Sequence, residues 1–185
     1  MRVKPILVVW HLILGVAVIS QSAQAQSTWS GSIAGGYATG LDNNDYSHGS
    51  VALALDVFRQ SARKLSWGAE LGYSLHENRS EVIPGLGTIE YRRSAWHFAG
   101  MLRLRAPRGS LRPYGLAGIG VYALDQDREN FVAPGLNVGT GIDFYPRNGR
   151  LGIGASARLH MAGRPMGDTF AGAGFLALML GLSYQ

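Results

Sequence analysis

Large apolar residues alternate with small or polar ones along much of this chain, and that period of two is what most constrains its fold. Successive side chains of a β-strand point to opposite faces, whereas a helix would repeat at 3.6. In 51–58, Val51, Leu53, Leu55 and Val57 share one face and Ala52, Ala54 and Asp56 the other. In 64–76, Leu65, Trp67, Ala69, Leu71, Tyr73 and Leu75 oppose Ser66, Gly68, Glu70, Gly72, Ser74 and His76. Segments 94–105, 151–161 and 170–184 repeat the pattern, the last setting Leu176, Leu178, Leu180, Leu182 and Tyr184 against Phe175, Ala177, Met179, Gly181 and Ser183. With 28–39, 112–124 and 131–145 the pattern predicts eight strands, and no helical period competes.

The connections also alternate. Short, turn-rich pieces (60–64, 106–110, 146–149) take turns with longer polar ones (40–49, 77–88, 125–130, 163–169). This is the layout of an up-and-down meander, with both ends of the strand region on the short-turn side.

Ahead of the strands, Arg2 and Lys4 precede an apolar run over 6–19 and a small-x-small site at 23–25. Such a segment reads as a cleavable secretory signal peptide. The expected division is a signal peptide over 1–25 and one barrel domain over 26–185. Losing Arg2 and Lys4 lowers the formal charge from +5 to +3, too mild a balance to suggest nucleic acid as a partner. Without cysteine the chain carries neither a disulfide framework nor thiolate chemistry.

Eight alternating antiparallel strands fit two architectures: a soluble barrel with its apolar face inward, or a transmembrane barrel with that face toward lipid. The opposite face decides. A soluble barrel needs about a quarter to a third of its surface charged, but the faces opposite the Leu and Trp rows are mostly Gly, Ala and Ser. Segment 112–124 has one charge, Arg112, and 170–185 has none. The charges that do occur in strands (Asp56, Glu70, Arg103, Arg105, Asp143, Arg158) lie opposite the bulky residues. Near mid-bilayer an Arg facing lipid costs about 2–4 kcal/mol, whereas inside a barrel it can meet a carboxylate. We therefore expect Glu70, Arg103, Arg105, Asp143 and Arg158, with His97 and His160, to form a buried ion network.

Aromatic residues cluster near the strand ends. Trp29, Trp67, Tyr114, Phe144 and Tyr184 lie toward the short turns, and Tyr37, Tyr73, Tyr91, Tyr122, Phe131 and Phe170 toward the longer connections. Two such groups match the aromatic girdles that bracket a membrane-spanning apolar band.

The text of two strands adds a resemblance. Segment 112–122 reads RPYGLAGIGVY and 133–145 reads APGLNVGTGIDFY, with Pro113-Tyr114, Gly118, Gly120, Asn137, Gly139, Gly141 and Asp143 at the telling places. This resembles the small outer-membrane β-barrel family, to which the OmpA transmembrane domain and OmpX belong. The resemblance implies an all-β, eight-stranded antiparallel up-and-down transmembrane barrel in the outer membrane of a Gram-negative bacterium. It also implies outer-membrane lipids (phospholipid and lipopolysaccharide), the outer-membrane assembly machinery and an extracellular or host ligand as partners. Such proteins usually finish on Phe; here the chain finishes GLSYQ, with Tyr184 one place early. No peptidoglycan-binding tail of the OmpA type is expected after the barrel.

Some barrels of this kind modify lipid A, so an enzyme must be weighed. A Ser/His hydrolase needs its hydroxyl within hydrogen-bond reach of an imidazole. Ser156 and His160 share a face but stand four residues apart, about 13 Å along a strand. Ser74 and His76, with Glu77 adjacent, are nearer, yet the His-x-Ser pattern of the lipid A deacylases is absent. The histidines after the leader, His48, His76, His97 and His160, show no metal-ligand spacing, so no metal or cofactor site is read from the sequence. The leading expectation is a non-catalytic structural or surface-interaction protein. A small pore or uptake channel is the alternative, and a lipid A-modifying enzyme the third reading.

Charge is divided between the two ends. Arg59, Arg63, Lys64, Arg108, Arg112, Arg147 and Arg150 flank the short turns without an acid. The longer connections carry Asp42, Asp45, Glu77, Glu81, Asp125, Asp127, Glu129 and Asp168 against Arg79, Arg128 and Arg164. A basic rim suits phospholipid headgroups on the periplasmic side and an acidic rim the lipopolysaccharide side.

Overall fold

The computed structural model describes residues 29–41, 49–61, 64–83, 87–106, 109–126, 129–146, 149–166 and 169–185. The leader expected over 1–25 lies outside them. The described chain forms β1 (Trp29–Gly40), β2 (Gly49–Gln60), β3 (Leu65–Ile83), β4 (Gly87–Arg105), β5 (Leu111–Gln126), β6 (Glu129–Phe144), β7 (Leu151–Met166) and β8 (Thr169–Tyr184). Each strand pairs with its sequence neighbours, and β1 pairs antiparallel with β8, so the sheet closes into a barrel. Closure leaves no edge strand, which hydrocarbon demands of a spanning sheet.

The alternation maps onto the two faces as predicted. Val51 and Leu53 of β2 point outward while Ala52, Ala54 and Asp56 are buried inside. On β8, Leu178, Leu180 and Leu182 are exposed and Phe175, Ala177, Met179 and Ser183 buried. Ile119 is 76% exposed and Leu180 72%, values that water would not tolerate along a whole barrel but hydrocarbon does. Trp29, Tyr37, Trp67 and Phe144 also face outward, and Tyr73 leans on Trp96 with ring centroids 4.6 Å apart. Toward the short-turn end, Arg59 lies over Trp29 and Arg150 donates to the Tyr184 hydroxyl, so cations and aromatics share one level.

Three girdle assignments are corrected. Tyr122 is fully buried within the barrel, with its ring stacked on His97. Tyr114 likewise faces in, packed on the cluster of Phe58, Ala99, Met101 and Leu116. Both share the parity of Leu116 and Leu124, while Pro113, Ile119 and Val121 take the outer face. Phe131 is buried too. The side chains of Tyr91 and Phe170 lie outside the described residues.

The longer connections are also corrected. Residues 78–83 and 87–88 are paired strand, from Asn78↔Arg92 to Ile83↔Gly87, with Glu77 at a register shift, not loop. Pairing likewise runs to Gln126↔Glu129 and Met166↔Thr169. The β3–β4 hairpin thus extends past the last β2 and β5 partners, at His76 and Arg93. A paired hairpin that stands clear of the barrel wall needs no apolar face, so its sequence need not show a period of two.

Inside, the barrel is layered. Toward the long hairpins, Ala38, Leu124, Phe131, Ala133 and Phe175 belong to one apolar cluster. Phe58, Ala99, Met101 and Leu116 form a second, toward the short turns. Polar side chains occupy the level between them.

Candidate functional site

The polar level draws Asp56 from β2, Glu70 from β3, His97 from β4, Asn137 from β6, and Arg158 and His160 from β7. All six are buried. Inward parity selects each one, and closure brings strands distant in sequence face to face across a lumen about one side chain wide.

Arg158 is the hub. Its Nη2 donates to Asp56 Oδ2 at 2.7 Å, and its Nη1 to Asp56 Oδ1 at 3.1 Å and to Glu70 Oε2. The fork of two parallel bonds to one carboxylate is the strong, directional form of this pair. Ser32 donates to Asp56 Oδ2 at 2.7 Å. Glu70 Oε1 accepts from Asn137 Nδ2 at 2.8 Å and lies 2.7 Å from His97 Nε2. Charges this deep persist only when paired and hydrogen-bonded.

The histidines join this group through their rings. His97 and His160 have ring centroids 4.7 Å apart, and His160 stacks on Phe175 at 4.5 Å. The Tyr122 hydroxyl lies 3.1 Å from His160 Nδ1. Gly72 pairs across the ladder with His97, and a Cβ at position 72 would fall on the His97 ring. Glycine there is what lets the imidazole lie flat against β3.

The other predicted network residues sit elsewhere. Arg103 donates to Ser30 Oγ at 2.7 Å, with its guanidinium carbon 3.9 Å from the Phe58 ring centre. Arg105 and Asp143 pair at 3.7 Å. Arg105 also reaches the Tyr145 hydroxyl and Gln185, and Arg112 donates to Gln185 as well. The seven predicted residues therefore fall into a central group (Glu70, His97, Arg158, His160) and a second group near the short-turn mouth (Arg103, Arg105, Asp143). Asp56, Asn137 and Tyr122 belong to the centre although the sequence reading left them out of the network. For Asp56 and Asn137 the signal is inward parity, Asn137 sharing the face of Asp143, whereas Tyr122 lies in a span with almost no charge to label its faces.

His97 and His160 face Glu70 and Tyr122, and the His76 side chain lies outside the described residues. One arrangement was invisible in the sequence: Glu70, His97 and His160 each offer a ligand atom within 4.8 Å of the others.

A family model described as outer membrane protein beta-barrel domain matches residues 12–185. Among solved structures, Neisserial surface protein A is similar at a TM-score of 0.62 and 11% identity, over 85% of this chain and 97% of that one. The outer membrane protein OprG from Pseudomonas aeruginosa is similar at a TM-score of 0.53 and 16% identity, over 87% and 97%. At such identities these likenesses establish the fold alone. No curated protein sequence matches the chain.

Proposed function

Because the chain belongs to the outer membrane protein beta-barrel domain family, we propose that it serves the Gram-negative outer membrane as a non-catalytic structural or surface-interaction protein. The observation that carries this reading is the filling of the lumen. Tyr122, Tyr145, Phe58, Phe175, His160, Glu70 and Asn137 are its largest fully buried side chains. Between the two apolar layers, the Asp56–Arg158–Glu70 group ties β2, β3 and β7 together. A barrel braced in this way presents its surface and its hairpins and leaves no wide aqueous path.

In this reading the leader over 1–25 is removed on export, the assembly machinery inserts the barrel, and the short turns face the periplasm. The basic residues at that end meet phospholipid headgroups. The hairpins then project outward with their acidic residues toward lipopolysaccharide and any extracellular or host ligand. Protease added to intact cells should cut within 40–49 or 77–88. Protection of both until permeabilisation would reverse the orientation.

Planar-bilayer recording tests the role. The reading expects no discrete conductance from the purified barrel, and steady unitary steps would favour a solute channel instead. Lipid A from an overexpressing strain should keep its acyl pattern by mass analysis. A gained or lost acyl chain would mark an enzyme.

A further inference from the structure

We infer that Glu70, His97 and His160 form a binding site for one divalent cation of the zinc class, inside the barrel. Two imidazoles and one carboxylate, each with a donor atom within 4.8 Å of the others, make a nitrogen-rich set. Such a set suits Zn2+, Ni2+ or Cu2+ and is too poor in oxygen for Ca2+ or Mg2+. Tetrahedral zinc with bonds of about 2.0–2.2 Å holds its ligand atoms roughly 3.3–3.5 Å apart. Rotamer-scale movement of the rings therefore closes the set. Three protein ligands leave a fourth position for water or a small anion.

A further observation points to a ligand. His97 Nδ1 is buried with no hydrogen-bond partner among the described residues. Nε2 is engaged with Glu70 Oε1 at 2.7 Å, which leaves Nδ1 as the unpartnered ring nitrogen in the interior. A buried polar atom without a partner calls for a specific reason, and a missing ion supplies one.

The surroundings resemble the outer shell of a metal site. The Tyr122 hydroxyl, 3.1 Å from His160 Nδ1, fixes that ring. Arg158 and Asn137 Nδ2 hold the Glu70 carboxylate. Such partners orient ligands and raise affinity.

The test uses the folded barrel in detergent, with ZnCl2 added either to the folded protein or during refolding, followed by desalting and metal analysis. One zinc per chain is expected under at least one protocol, with no retention of Ca2+ or Mg2+. His97→Gln and His160→Gln should each lower the affinity at least about tenfold. A His48→Gln/His76→Gln double variant should bind as the parent does. Zinc retained by neither protocol, retained equally by the two site variants, or lost from the double variant would overturn the site. If a site variant fails to refold, Co2+ on the parent protein decides. An intense visible band of tetrahedral nitrogen and oxygen coordination is expected, and its absence overturns the proposal.

Discussion

Arg158 on β7 grips Asp56 on β2 with two hydrogen bonds, of 2.7 and 3.1 Å, across the lumen and across 102 positions of sequence. Neither strand touches the other in the sheet, so this contact braces the barrel in a direction the ladder does not. Removing one partner of a buried pair leaves the other charge without compensation, which costs about 3–5 kcal/mol. Arg158→Ala and Glu70→Ala should therefore lower the temperature at which the folded band disappears on an SDS gel. Arg103→Ala should cost less, since that guanidinium rests on Ser30 and Phe58 near the short-turn mouth. Unchanged heat resistance in both Arg158→Ala and Glu70→Ala would show that the centre does not hold the barrel.

Gly72 and His97 are coupled by space. A methyl at 72 would overlap the imidazole, and overpacking of this kind costs about 1–3 kcal/mol. Gly72→Ala should destabilise the barrel by that amount, and adding His97→Ala should recover part of the loss. Strictly additive urea-unfolding energies for the two changes would contradict the contact.

Tyr122→Phe separates an interior tyrosine from a girdle one. In a headgroup belt the change would be nearly silent. Inside, it removes the hydroxyl beside His160 Nδ1, and about 1–3 kcal/mol of stability should go with it. Equilibrium unfolding in lipid vesicles gives the answer.

These positions also show how much the sequence discloses. Strand number, the facing of Val51 through Phe58 and the inward set of charges follow from parity alone, because charge on one face and bulk on the other mark the sides. In 112–124 the only charge, Arg112, stands at the very start, so parity has almost no label along the span, and aromatic type wrongly sends Tyr114 and Tyr122 to the interface. The long hairpins were hidden because paired strands in water need no apolar face. The meeting of Glu70, His97 and His160 depends on closure and stagger of the whole sheet, which no local pattern encodes.

On the outer face, Leu180→Arg should cost about 2–4 kcal/mol in a bilayer, since Leu180 projects from the apolar band. The same unfolding assay in vesicles reads it. A neutral result would place that side of β8 in water.

The most direct measurement is a single-cysteine scan of β8, clean because the chain has no cysteine of its own. Spin labels at 176–183 would be tested for collision with lipid-soluble oxygen and with a water-soluble nickel reagent. Oxygen should dominate at 176, 178, 180 and 182, and collisions of both kinds should fall at 177, 179, 181 and 183. Water access along the even positions, or the opposite phase, would contradict a barrel that turns its leucines to lipid.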